Sequence, residues 1–125
     1  PVVSYDLFTT ILNHLKLDYI DEKKDGIDLS NLSLEKNKRD YILWHFPHYH
    51  GSLWKPGSAI RSGDWKLLRF YEENKLELYN LKDDLSEQTD LSVKYPLIVK
   101  KLSNKMDEML IEMNGKVPTV NQNLN

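Results

Sequence analysis

A chain of 125 residues with 40% hydrophobic and 29% charged side chains can build one modest core, which excludes both a disordered and a fibrous protein. Its 17 basic against 19 acidic residues leave a formal charge of −2, so no overall positive field draws in nucleic acid or an anionic membrane. The absence of cysteine removes disulfides, thiolate metal sites and cysteine nucleophiles without fixing a compartment, and no apolar run approaches the roughly 20 residues of a membrane helix.

The start at Pro1-Val2-Val3 has neither an initiator methionine nor a basic signal region and reads as part of something longer. Residues 4–16 place Leu7, Phe8, Ile11, Leu12 and Leu15 on one stripe, which predicts an amphipathic helix with Ser4 as N-cap and Asp6 in the first turn. Residues 18–40 carry two charged runs around Ile27, Leu29, Leu32 and Leu34, a connector that packs by its leucines.

Four strands follow. Asp40–Phe46 alternates and is stopped by Pro47, which has no N–H to give. Ser58–Arg61 and Trp65–Tyr71 flank Ser62-Gly63-Asp64, a tight hairpin turn in which Gly63 can take positive φ. Glu72-Glu73-Asn74 is a polar loop leading into a fourth strand, Lys75–Asn80. From Ser92 to Asn114, Ile98, Val99, Leu102, Met106, Met109, Leu110 and Met113 recur at spacings of three and four, with Pro96 suited to a helix start and Gly115 to a stop. This long helix is expected to cover one face of the sheet. The fold class is therefore α+β: a small four-stranded antiparallel sheet packed against a long C-terminal helix and preceded by an N-terminal helix and connector. Residues 1–39 form the leading segment, 40–115 the sheet and helix, and 116–125 a disordered tail.

His45, His48 and His50 fall close together, and three readings stand: a zinc or copper site, for which no convincing fourth ligand exists; loop and strand histidines packed beside aromatics; or rings that hydrogen-bond an anionic or sugar substrate. Trp44 and Trp65 lie in strands and read as core, leaving Trp54 as the better exposed stacking platform. Arg61, Lys66 and Arg69 could form a cationic patch, although cross-strand pairing explains such residues in most sheets. Asp83-Asp84-Leu85-Ser86-Glu87 lacks the spacing and glycine of a calcium loop, and no G-x-S-x-G, Walker, H-E-x-x-H or dinucleotide motif occurs.

Three stretches carry a family resemblance. Pro1–Leu12 resembles P-V-x-x-x-D-x-x-P-T-x-L, departing at Thr9; Asp25-Gly26-Ile27-Asp28-Leu29 resembles D-G-x-x-L. Ala59–Leu67 with Glu77–Asp84, Glu87, Asp90-Leu91 and Tyr95-Pro96 resembles A-[IV]-R-x-G-x-[WY]-K-L…E-L-Y-[ND]-L-x-x-D-x-x-E-x-x-[ND]-L…P. Together these resemble the C-terminal portion of the type I, arylsulfatase A-like sulfatases of the alkaline phosphatase superfamily.

The resemblance implies a sulfuric ester hydrolase whose formylglycine, made from a C/S-x-P-x-R motif, and calcium belong to a full-length parent, with no cofactor in this fragment. It also implies a fragment inactive alone, periplasmic or extracellular, that packs on a missing N-terminal catalytic domain. By position, the loop from His45 to Trp54 would reach the rim of the pocket for a sulfated carbohydrate or aryl sulfate, with His48, His50 and Trp54 contacting substrate. No catalytic or metal-binding residue is nominated in the chain, and neither nucleic acid nor membrane is expected as a partner. The alternative is a free-standing glycan-binding module that uses Trp54, Tyr49 and the histidines.

Overall fold

The computed structural model describes residues 1–17, 25–31, 39–51 and 55–119, and the chain divides into two compact units, Pro1–Arg39 and Asp40–Asn125. The expected α+β arrangement is present.

In the first unit, helix α1 spans Tyr5–His14 and ends with Lys16 at φ +53. The Leu17 N–H donates to the Leu12 carbonyl at 3.0 Å and the Lys16 N–H to that of Asn13 at 3.2 Å, the paired bonds that close a helix on a left-handed residue. Ser4 stands at the N-cap position, but its backbone is already helical and its side chain caps nothing. The Asp6 carboxylate takes over, accepting the Val3 N–H at 2.9 Å.

That carboxylate reorganises the whole unit. It is fully buried and also accepts the Ile27 N–H at 3.0 Å and both terminal nitrogens of Arg39, at 3.1 and 2.5 Å. Arg39 bonds the Asp25 carbonyl at 3.1 Å as well, so one guanidinium joins three segments. Thr10 Oγ1 donates to the Asp6 carbonyl at 2.7 Å and accepts the Leu29 N–H at 2.9 Å, where a short 3₁₀ turn, Leu29–Asn31, begins. Gly26 fits only because it has no side chain: a Cβ there would stand 2.5 Å from both Thr9 Oγ1 and the Tyr5 carbonyl oxygen. The buried residues of α1 are Asp6 and Thr9, whereas Leu7, Phe8, Ile11 and Leu15 are exposed. The apolar stripe read from the sequence is real but, apart from the half-buried Leu12, faces outward. Leu32 and Leu34, assigned a packing role in the connector, lie outside the described residues.

In the second unit, strands β1 (Ile42–Phe46), β2 (Gly57–Ser62), β3 (Trp65–Phe70) and β4 (Lys75–Asn80) pair antiparallel in sequence order. Ser62 pairs with Trp65, leaving Gly63-Asp64 as a two-residue turn with Gly63 at φ +56, the hairpin geometry that matches strand twist. Phe70 pairs with Lys75, so the second hairpin loop is Tyr71–Asn74, one residue longer than expected, and Asn74 takes the positive φ.

Side-chain alternation divides the sheet. One face carries Ile60, Leu67 and Leu78, which close with Leu102, Met106 and Leu110 of helix α2 (Pro96–Glu112) into the core. Trp65 packs at its margin with its ring 5.1 Å from that of Tyr95. The other face carries Trp44, Phe46, Ala59, Lys66, Leu68 and Tyr79. Pro96 opens α2 as expected, but the left-handed residue that closes it is Asn114, not Gly115; Gly115 then donates to the Leu110 carbonyl at 2.8 Å.

Candidate functional site

β1 is an edge strand, and the chain leaving it carries two of the nominated residues. Both settle on one aromatic ring: the Phe46 centroid lies 5.8 Å from that of His48 and 6.2 Å from that of His50, each edge to face. Phe46, His48 and His50 are exposed. The structure thus brings the two histidines together, with their imidazoles displayed at the end of β1. Trp54, the third nominated residue, lies outside the described residues. Tyr49, between the histidines, hydrogen-bonds Glu72 in the β3–β4 loop.

His45 points to the opposite face and does different work. Its Nε2 lies 3.0 Å from the Lys116 carbonyl, which can only accept, so this nitrogen carries the proton. Nδ1 then accepts from a hydroxyl; Ser58 Oγ stands at 2.7 Å, and Tyr71 Oη, 2.6 Å from that oxygen, completes the cluster. Despite its Ser-His pairing, the cluster is a structural tie. Ser58 is buried and the imidazole's second nitrogen is spent on the backbone that follows α2.

Beside the histidine loop the uncovered sheet face is concave. A groove of about 500 Å³ is lined by Trp44 and Phe46 of β1, Gly57 and Ala59 of β2, Lys66 and Leu68 of β3, and His50. Trp44, read as core from its place in a strand, is 46% exposed. The reason is register: Trp44 pairs with Ala59 and Ala59 with Leu68, a row on the face away from α2. The signal was available, since Ile60 and Leu67 alternate with that row.

The basic residues do not form one patch. Arg69 reaches α2, where it pairs with Asp107 and donates to Ser103 Oγ at 2.7 Å; Lys66, on the groove face, pairs with Glu87 at 2.6 Å; and the Arg61 guanidinium donates to the Gly63 carbonyl at 3.0 Å. Among the described residues no group of three or more His, Cys, Asp or Glu side chains is placed to hold a metal.

Most motif residues act as scaffold. Asp90 accepts the N–H groups of Leu78 and Ser92 at 3.0 and 2.8 Å; burial opposes its ionisation, yet these bonds hold its carboxyl below the usual carboxylate range. The Leu91 N–H donates to the Leu78 carbonyl at 2.8 Å, so the loop after β4 covers that edge of the sheet. Asp84 accepts from the Gln88 and Thr89 N–H groups, and burial, reinforced by the neighbouring Glu77, pushes the Tyr79 hydroxyl well above its ordinary value. None of these groups is free to do chemistry.

No family model matches the chain. It is 33% identical to a sulfatase of Formosa agariphila over an alignment of 110 residues that takes in 80% of this chain and 20% of that protein. Among solved structures, a 2-O GAG sulfatase matches 92% of this chain and 27% of its own, with a TM-score of 0.73 and 23% identity. A protein solved in complex with its substrate, D-glucosamine-2-N,6-O-disulfate, matches 90% of this chain and 24% of its own, with a TM-score of 0.70 and 23% identity. The chain therefore spans about a fifth of the sulfatase relative and about a quarter of these structures. Sequence and fold together support a sulfatase C-terminal region.

Proposed function

We propose that this chain is the non-catalytic C-terminal part of a sulfuric ester hydrolase, packing on the rest of the polypeptide and lending the His48–His50 loop to the rim of the pocket for a sulfated substrate. The observation that carries the proposal is the shared perch of the two histidines: one Phe46 ring orients two exposed imidazoles in the same short loop. An imidazole can offer an N–H, and when protonated a positive charge, to a sulfate oxygen. The 33% identity to a sulfatase supplies the class of reaction.

No described group of acidic or histidine side chains here fits a metal. The proposal therefore assigns the calcium and the formylglycine of such an enzyme to the rest of the polypeptide, and none of the chemistry is derived through them. Export to the periplasm or beyond belongs to the same proposal and rests on the family resemblance.

The test is made in the full-length polypeptide with a sulfated sugar as substrate. His48→Ala and His50→Ala are expected to lower kcat/KM by roughly ten- to a hundredfold each, the loss of about one charge-assisted hydrogen bond. Unchanged kcat/KM in both variants removes them from the rim, and a full-length protein with no sulfatase activity overturns the reading as a whole.

A further inference from the structure

The second unit stacks one sheet on one helix, and the sheet's second face is only partly covered. Helix α2 covers the face bearing Ile60, Leu67 and Leu78. On the other face, Ile42, Ala59 and Tyr79 are already buried, yet toward β1 the surface opens into the groove floored by Ala59 and Leu68 and walled by Trp44 and Phe46. Small antiparallel sheets can leave one face to water, but that face is then polar. This one presents two large aromatic rings around an apolar floor, the composition of a surface that another body covers.

The groove is poorly matched to a small polar ligand. Of its lining side chains Trp44, Lys66 and His50 carry polar groups, and Lys66 is already paired with Glu87 at 2.6 Å. A sugar ring placed there would find few partners for the hydroxyls it turns toward Phe46, Ala59 and Leu68, which costs free energy. An apolar side chain has no such cost. Its source is indicated by the fraction of the relatives matched: 20% of the sulfatase relative and 27% of the 2-O GAG sulfatase, so a polypeptide several times the length of this chain accompanies this region in those proteins.

We infer that the Trp44–Phe46–Leu68 face is the docking surface for the rest of the polypeptide, and that the groove receives an apolar side chain from it. The inference rests on the proposal that the chain is part of a longer sulfatase, and it adds a specific face and a consequence. Phe46 both walls the groove and orients His48 and His50, so docking and the histidine loop share one ring.

The chain has no cysteine, so single replacements report accessibility directly. Trp44→Cys is compared with Leu97→Cys, which replaces a highly exposed residue at the start of α2. Each is labelled with a maleimide, in this chain and in the full-length polypeptide, and the modified peptide is quantified by mass spectrometry. Trp44→Cys is expected to react readily in the chain and roughly tenfold or more slowly in the full-length protein, where labelling waits on opening, with Leu97→Cys unchanged. Equal labelling of Trp44→Cys in both overturns the inference. So does protection in the chain itself that grows with its concentration, because a second copy would then be the occupant. A full-length protein that protects Trp44→Cys but hydrolyses no sulfate ester breaks the functional proposal and leaves the docking face standing; active enzyme with a reactive Trp44→Cys does the reverse.

Discussion

The two compact units solve the problem of cohesion in opposite ways. The unit of residues 40–125 buries Leu67, Leu78 and Met106 between a sheet and a helix, and polar ties such as that from the Leu78 N–H of β4 to Asp90 are not part of that cluster. The unit of residues 1–39 exposes Leu7, Phe8 and Ile11 of its helix and gathers itself on one carboxylate, Asp6, which receives two backbone N–H groups and the Arg39 guanidinium. An apolar core spreads its stability over many contacts, so one lost methylene is felt locally. A buried ion pair concentrates it, because either partner alone is a charge stranded out of water.

The largest expected effect follows from that difference. Arg39→Ala leaves Asp6 buried without its counter-charge and should destabilise the first unit by about 3–5 kcal/mol, more than so small a unit can withstand. Amide hydrogen exchange across Tyr5–His14 should lose its protection while the amides of β2 and β3 keep theirs. Leu67→Ala, worth about 2–5 kcal/mol in a well-packed core, should reverse the pattern. If either substitution strips protection from both units, they do not fold independently and the contrast fails.

Acid offers a gentler version of the same test. The Arg39 hydrogen bond, opposed by burial and aided by the Val3 and Ile27 N–H groups, lowers the Asp6 pKa from 3.8 to about 2. The folded value is the depressed one, so the stabilisation is complete above the unfolded pKa and is lost as pH falls through the folded one. Between about pH 4 and 2 the first unit should lose about 2 kcal/mol of stability. Following the exchange of α1 amides down this range checks it. In the double variant Asp6→Asn, Arg39→Met, which leaves no buried charge unpaired, most of the loss across the window should vanish, leaving the contribution of Asp28, whose carboxyl the Ser30 N–H holds below the usual carboxylate range. An undiminished slope in that variant would assign the acid sensitivity to another group.

These residues also mark what the sequence could and could not reveal. Helix α2 and the four strands were legible because their apolar periods, 3.6 and 2, coincide with the face each element buries, and because Gly63 and Pro96 punctuate them. The period of α1 was equally legible but its inward face was not. The choice was made by Asp6 and Arg39, 33 residues apart, and no local pattern reports such a pair. His48 and His50 could be nominated from their spacing, yet the ring that joins them is Phe46, which alternation alone leaves as an ordinary strand residue. Trp44 was misread because an aromatic in a strand signals burial, whereas its register against Ala59 and Leu68 places it on the face that α2 does not cover.

The smallest predicted effect is the sharpest test of the contrast, because ordinary amphipathic logic predicts a large one. Ile11 sits on the apolar stripe of α1, where a polar replacement in a core-facing helix would cost several kcal/mol. In this chain Ile11 is 55% exposed, so Ile11→Ser should change stability by no more than about 0.5 kcal/mol, most of it from helix propensity. Thermal unfolding of the chain and α1 amide exchange should both register nearly the parent values. A loss of more than about 2 kcal/mol would mean that the stripe carries the unit after all. The Asp6 network would then be a local clasp rather than its centre. A neutral result leaves Leu7, Ile11 and Leu15 as exposed apolar surface that contributes little to the stability of this unit.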